Sequence, residues 1–493
     1  MTDRLQPLRG EGAKLWKMMA DADGIATLEQ GMELAEAFGA PIENLLAGVD
    51  VNAGQLIRTS RFRGSLARQP ILDLILLHQL SLAPLGGREA DIREAIRHLD
   101  LKVPMIPHMC GFTGLETLKL SLMPSLDATS LKGLGAMPKL RELEVQAEKE
   151  GDQQSRLLSL EGLIAPVLIK ANLKNISLTS IDALAQSTQL EEVDLSKNAK
   201  LQSINGLRSS HATLKNINLE YCGNLGDIDA LENSTELFQI NLSHCTSIKQ
   251  IKALSASTKI EHLDIEGCSA LTSIQGINTP VITPGSHYWV YSLKGCKNLK
   301  NLKGLPSLGE GYKYLELEDM PALDSLEGLQ PSPFIKTLRM RNIGIRDIAQ
   351  LTSLDALQDI SLDKIKNLSS VAVLGELSQV QSISLSEGVS LTELPKHWPQ
   401  SLKKISMHDF SKILNLGDFP TGLNHLEIRN CPKITSVAGI PSDCHLSELV
   451  IDQHMMDLSA IASIVVDRVT VHNSTAPKNS HWWSQIFADF KRL

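Results

Sequence analysis

One phrase recurs along most of this chain and constrains its fold more than any other feature. It reads L-x-x-[ILV]-x-L-x-x-[C/N], usually followed by L-x-x-[IL]-x-x-L. A clear copy is LEEVDLSKN at Leu190, and further copies follow every 21 to 28 residues until Leu446. A fixed period of this length is typical of small stacked units, because no single unit can bury its apolar side alone. The sequence therefore predicts a solenoid.

Each repeat contains a strand signal. Apolar residues at positions four and six alternate with polar residues at positions three, five and seven, which is the period of a half-buried strand. Repeat starts from Leu115 to Val466 predict a parallel sheet of about 16 strands on the concave side. The rest of each repeat is short and rich in Asn, Ser, Thr, Gly and Pro, so we expect turns and 3-10 segments on the convex side. The predicted class is an α/β solenoid.

Two early repeats are irregular. We place their starts at Leu140 and Leu173, which gives one step of 33 residues and a following step of 17 residues to Leu190. The longer step contains the polar insert Glu148–Arg156.

The two ends of the chain do not follow the phrase. Residues 1–105 are predicted to form a helical N-terminal capping domain, because apolar residues recur there at helical spacing. Residues 106–474 form the predicted solenoid. Residues 475–493 are predicted to be a C-terminal capping helix, since open solenoid ends need covers. The helical spacing at the N-terminus is carried by Leu28–Phe38, Pro41–Leu46, Pro70–Leu80 and Arg88–His98, and that at the C-terminus by Trp482, Trp483, Ile486, Phe487 and Phe490.

Charge and hydropathy bear on partners and location. The formal net charge is −8, which disfavours broad binding to nucleic acid or an anionic membrane. The N-terminus lacks the apolar segment of a secretory signal, and no run of residues is long and apolar enough for a membrane span. A cytoplasmic location is predicted, with export by a route that needs no such signal as an alternative.

Cysteine positions favour packing over chemistry. Buried free cysteine behaves as a small hydrophobe, and no C-x-x-C spacing suggests a zinc site. The chain also lacks H-E-x-x-H, G-x-S-x-G and a Gly-rich phosphate loop. We therefore expect no enzyme activity, no cofactor and no metal. Five cysteines occupy position nine of the repeat, namely Cys222, Cys245, Cys268, Cys296 and Cys431, and two lie outside it, Cys110 and Cys444.

These residues resemble the leucine-rich repeat family. The line LDIEGCSALTSIQGI, from Leu263 to Ile277, looks like the cysteine-bearing repeats of plant disease-resistance receptors. The line LTSIDALAQSTQLEEVDLSKN, from Leu178 to Asn198, looks like internalin repeats. The resemblance implies a horseshoe whose concave strand face binds another protein, and by analogy a recognition role in host–microbe or defence systems. No G-x-x-x-x-G-K-[ST] is present, so the nucleotide-binding domain of the resistance receptors is missing.

A candidate partner site follows from the concave positions. From Asp194 to Glu318, the residues at positions five and seven of each repeat are mostly acidic or neutral. In the next repeat both positions are arginines, Arg339 and Arg341. Aromatic residues occupy outward positions just after the insert Asn278–His287. Exposed Trp, Tyr and Arg are typical of interaction hot spots, and charge clusters steer association. An ordinary solvated sheet face is the competing interpretation. The predicted partner-binding residues are Trp289, Tyr314, Glu316, Glu318, Arg339, Arg341, Asp264 and Glu266.

Three function classes remain open. The leading one is a non-enzymatic scaffold that binds a protein, with no small-molecule substrate. The second is an enzyme with its chemistry in the N-terminal domain or at an off-repeat cysteine, Cys110 or Cys444. The third is a nucleic-acid-associated protein that uses the basic segment 58–68, RTSRFRGSLAR.

Overall fold

The computed structural model describes residues 97–103, 106, 109, 111–122, 128–147, 157–277, 292–306, 313–452 and 464–472. The chain divides into two compact units, Met1–Leu237 and Phe238–Leu493. In each unit, short parallel strands recur once per sequence repeat and alternate with loops. The parallel leucine-rich-repeat solenoid is thus confirmed. The predicted helices of residues 1–96 and the capping helix 475–493 lie outside the described residues.

The first unit contains one sheet of parallel strands and a small second pair. Each strand of the main sheet pairs with the next one along the chain. The main strands are β1 (His98–Val103), β2 (Thr117–Leu122), β4 (Glu142–Ala147), β6 (Lys170–Asn172), β7 (Glu192–Asp194) and β8 (Asn216–Asn218), and the small pair is β3 (Gly135–Ala136) with β5 (Leu163–Ile164).

The sheet begins earlier than the predicted start of the solenoid. Strand β1 pairs in parallel with β2 from His98 onward, although a helix was predicted up to His98 and the solenoid from residue 106. The physical reason is visible in its sequence, HLDLKV, which alternates apolar and polar residues with the period of a strand. Leu99 is 2% exposed and already belongs to the core.

The second unit repeats the same arrangement. Strands β9 (Gln239–Asn241) and β10 (His262–Asp264) pair in parallel. Eight further parallel strands follow, and a small pair joins β17 (His445–Leu446) to β19 (Val465–Val466). The eight are β11 (Tyr314–Met320), β12 (Thr337–Ile343), β13 (Asp359–Asp363), β14 (Ser382–Ser386), β15 (Lys404–His408), β16 (His425–Arg429), β18 (Glu448–Asp452) and β20 (Val469–His472).

Short 3-10 helices lie between strands in several turns, as predicted. Each buries a leucine or alanine of the loop, so the loop side also contributes to the core. No helix within the described ranges has the length and apolar character needed to cross a membrane. The 3-10 helices are Asp182–Gln186, Asn205–Ser210 and Asp229–Leu231 in the first unit, and Lys252–Ala256, Ala349–Ser353 and Ala372–Glu376 in the second.

The third predicted repeat starts at a different residue from the one predicted. Strand β6 makes Leu168 the first leucine of its repeat, in place of Leu173, so the steps around it are 28 and 22 residues. Backbone geometry agrees, because Asn175 then stands at position eight with a φ of 58°. Position eight is left-handed in the next two turns as well, at Lys197 (φ 63°) and Tyr221 (φ 60°).

The residue at position five differs between the short strands β7 to β10 and the longer strands β11 to β16. In β7 to β10 an Asp or Asn at this position accepts a hydrogen bond from the backbone N–H two residues later, which turns the chain away from the sheet. These strands have three residues each. From β11 to β16 position five is Glu, Arg or Ser, and the strands have five to seven residues. The capping side chains are Asp194, Asn218, Asn241 and Asp264.

Candidate functional site

Strands β11 and β12 bring four of the predicted site residues together. Along β11, Leu315 and Leu317 point into the core, and Glu316 and Glu318 lie on the opposite face. We call this second face of the strands the exposed sheet face. The parallel register sets Glu316 beside Arg339 and Glu318 beside Arg341. The same repeat position in neighbouring turns therefore forms one column of adjacent side chains.

The column at position seven is a charge ladder. Glu318 Oε2 lies 3.0 Å from Lys294 Nζ, and Glu318 Oε1 lies 3.5 Å from Arg341 Nη1. Arg341 Nε lies 3.1 Å from Asp363 Oδ2, and Ser386 Oγ donates to Asp363 Oδ1 at 2.6 Å. The hydrogen bond to Glu318 and its charge raise the pKa of Lys294 above its ordinary value. The charge ladder thus occupies Glu318 and Arg341 with structural partners.

On β11 and β12, the residues at position five remain available. Tyr314 is 69% exposed on the adjacent position three, and Glu316 and Arg339 are both exposed. Among the described residues, neither Glu316 nor Arg339 takes part in an ion pair. An aromatic ring and an arginine are therefore presented to solvent beside a fixed array of charges.

Asp264 and Glu266 lie apart from this group and are engaged locally. The backbone N–H of Glu266 donates to Asp264 Oδ1 at 2.9 Å, and Ser292 Oγ donates to Glu266 Oε2 at 3.1 Å. The turn containing Lys294 separates them from β11, because Gly267 N–H donates to Lys294 O and Gly295 N–H donates to Glu318 O. Trp289, the remaining predicted residue, lies outside the described residues.

The repeat cysteines are packing groups, as the sequence indicated. All five are fully buried free thiols. Cys222 Sγ donates to Leu195 O and Cys268 Sγ donates to Leu242 O, and burial raises the pKa of each thiol to about 12. A thiol with so high a pKa is a poor nucleophile at neutral pH.

Cys444 has the same character. It is 2% exposed and donates to Leu423 O at 3.1 Å, and burial raises its pKa. The ring of its neighbour His445 lies beside Asp467, with Nε2 2.9 Å from Oδ1. Cys110 lies outside the described residues. Within those residues, no group of three or more His, Cys, Asp or Glu side chains is arranged to hold a metal ion.

A second polar cluster was not predicted as a unit. Glu427 on β16 is surrounded by Ser406, His408, His425 and Arg429. The available signal was that these residues fall at positions three, five and seven of two successive repeats. The His425 side chain in this cluster is only 16% exposed.

Comparison with known proteins yields no family model and no curated protein that matches. Solved structures do match. An internalin (inlF) from Listeria monocytogenes has 15% identity over 79% of this chain and 89% of its own, with a TM-score of 0.28. A leucine-rich-repeat protein of Leptospira interrogans has 14% identity over 84% and 97%, with a TM-score of 0.31. The LRIM1/APL1C complex has 11% identity over 83% and 69%, with a TM-score of 0.38. With TM-scores this low, the fold assignment rests on the strand register and periodic core described above.

Proposed function

We propose that this protein is a non-enzymatic scaffold that recognises a protein partner on the exposed sheet face of its second unit. The centre of the site is Tyr314, Glu316 and Arg339. Glu318 and Arg341 orient this centre through the charge ladder, and Asp264 and Glu266 stand at its margin. Trp289 remains a prediction as an additional aromatic contact.

One observation carries the proposal. Tyr314 is exposed on β11, and Arg339 on the paired strand β12 makes no ion pair among the described residues. Tyrosine and arginine contribute binding energy in protein interfaces more often than other exposed residues, because they combine a large contact area with hydrogen bonding. Both residues stand on paired strands, so little conformational freedom is lost when a partner binds. Arg339 can pair with a carboxylate of the partner without breaking an existing ion pair.

The alternatives receive less support. The buried thiol of Cys444, with its raised pKa, is a poor candidate for covalent catalysis. The mixed charges on β11 to β13 do not form the basic surface that nucleic-acid backbones require. Chemistry in the N-terminal domain of residues 1–105, nucleic-acid binding by segment 58–68, a cytoplasmic location and a defence role stay hypotheses.

We expect the double variant Tyr314→Ala, Arg339→Glu to lose its partner. Removal of one hot-spot residue weakens binding by about 2 kcal/mol, or roughly thirtyfold, and reversal of the arginine charge adds repulsion toward an acidic group of the partner. The measurement is affinity capture of the intact protein, identification of the co-purifying proteins, and titration of the captured partner against both forms.

A matched control tests whether the location matters. The variant Phe334→Ala, Lys336→Glu removes one exposed aromatic ring and makes the same charge change just before β12, away from positions three to seven. It should retain the partner. Equal capture by the wild type and the Tyr314, Arg339 variant, with unchanged circular dichroism, would show that the proposed centre is wrong.

A further inference from the structure

The two unpaired charges at the proposed centre have opposite signs and adjacent places. Glu316 on β11 and Arg339 on β12 are register partners, and both side chains are exposed. Paired strands lie about 4.8 Å apart, so the two charges stand side by side on the exposed sheet face. Within the described part of the chain, neither forms an ion pair, either with the other or with a third group. A partner therefore meets a negative and a positive charge in a fixed order along the solenoid.

The column at position five is otherwise uncharged for several turns. Its residues on both sides of the pair are serines, whose short neutral side chains neither compensate nor extend the two charges. The pair is thus an isolated dipole in its column. The serines are Ser292 before Glu316, and Ser361, Ser384 and Ser406 after Arg339.

The neighbouring column at position seven is already engaged in ion pairs. Glu318 lies between Lys294 and Arg341, and its side chain is only 15% exposed. Arg341 is also held by Asp363 at 3.1 Å. A charged group of a partner would have to compete with these contacts, whereas position five offers two charges that only solvent occupies. Selection by charge therefore falls to position five.

We propose that the site selects a protein segment that places a basic side chain against Glu316 and an acidic side chain against Arg339. This inference rests on the proposed function and names the chemistry of its partner. Tyr314, two residues before Glu316 on the same face, supplies contact area, and the two charges set the direction of the segment along the solenoid. A segment in the reverse direction, or one with acidic groups at both places, meets a like charge. Specificity therefore comes from repulsion as well as attraction.

The test titrates the captured partner against the intact protein and three charge variants. Glu316→Gln and Arg339→Gln each remove one charge and should each weaken binding by roughly threefold, the size of one exposed ion pair. The exchange Glu316→Arg, Arg339→Glu keeps the net charge but sets like charges against the partner at both places. It should weaken binding by roughly thirtyfold or more, because each reversal removes an attraction and adds a repulsion. Added salt should reduce all of these differences.

A second exchange of opposite charges serves as the matched control. Lys303 and Glu327 lie in turns between strands, with Lys303 Nζ 2.8 Å from Glu327 Oε1. The variant Lys303→Glu, Glu327→Lys also keeps the net charge, and it changes no residue of the exposed sheet face. It should bind the partner as tightly as the wild type.

Glu316→Gln separates this inference from the proposed function. If the Tyr314, Arg339 variant loses the partner but Glu316→Gln binds it as tightly as the wild type, or more tightly, the site recognises an acidic group alone. That result overturns the inference and leaves the proposed function standing. Equal binding by the wild type and the Glu316, Arg339 exchange would overturn the inference as well. Unchanged binding by the Tyr314, Arg339 variant would overturn both.

Discussion

Substitution of Trp398 by alanine is expected to destabilise the second unit by about 3–5 kcal/mol. The indole is 2% exposed and is among the largest fully buried side chains. It stacks on Phe419 with ring centroids 6.0 Å apart and an interplanar angle of 4°, and Nε1 donates to Leu416 O at 2.7 Å. The substitution creates a large cavity and leaves a buried carbonyl without its donor, and both effects are unfavourable.

Amide hydrogen exchange in peptides that cover residues 395–423 measures this effect locally, which suits a repeat protein whose turns need not unfold together. Exchange through opening should accelerate by roughly a hundredfold or more, since each factor of ten corresponds to about 1.4 kcal/mol. The variant Trp398→Phe keeps an aromatic ring against Phe419 and should cost only about 1–2 kcal/mol. Equal effects of the two substitutions would mean that the ring does not contribute to the core.

Substitution of Asn198 by alanine is expected to destabilise the first unit by about 3 kcal/mol. Asn198 is 0% exposed, and its Oδ1 accepts from the N–H groups of Ile176 at 3.2 Å and Leu178 at 3.0 Å. Its Nδ2 donates to the carbonyls of Leu173 at 2.8 Å and Leu195 at 2.7 Å. Alanine would leave two buried N–H groups of the preceding turn unsatisfied. It would also remove one further hydrogen bond to that turn, at Leu173, and one within its own turn, at Leu195.

Urea unfolding followed by circular dichroism, together with exchange in peptides covering residues 173–198, measures the loss. Asn205→Ala is the matched control, because Asn205 is exposed and, among the residues that the structure describes, its side chain accepts only from Arg208 Nε, at 3.1 Å. The control should change the free energy of unfolding by less than about 0.5 kcal/mol. If Asn198→Ala were equally mild, the inter-turn hydrogen bonds would not stabilise the stack.

The periodic core could be predicted from sequence because its signal is repeated many times. The errors arise where a single repeat departs from the phrase. Ala171 stands at position four, where a larger apolar residue is usual. Because of this small residue, the start of the repeat was predicted at Leu173 and not at Leu168. Strand β1 lacks the rest of the phrase, so only its short alternation of apolar and polar residues could have identified it. A local alternation of six residues is weak evidence beside a neighbouring helical pattern.

The sequence could predict which residues of the candidate site are neighbours across the strands. It could not predict which side chains form ion pairs. Parallel pairing places equal repeat positions side by side, so Glu318 and Arg341 were expected to be neighbours. Their ion pairs with Lys294 and Asp363 depend on side-chain conformation and on distances of 3.0–3.5 Å, which a repeat pattern does not contain. Asp264 looked like a partner-binding acid, but its carboxylate accepts a backbone N–H and shapes the strand end.

A hydroxyl-radical footprint of the protein, with and without its captured partner, tests whether the exposed sheet face around Tyr314 binds that partner. Tyrosine rings react readily when exposed, and Tyr314 is 69% exposed on the proposed surface. Tyr221, in the first unit, is 46% exposed and provides an internal reference. We expect the partner to protect Tyr314 and to leave Tyr221 reactive. Full reactivity of Tyr314 in a saturated complex would contradict this expectation.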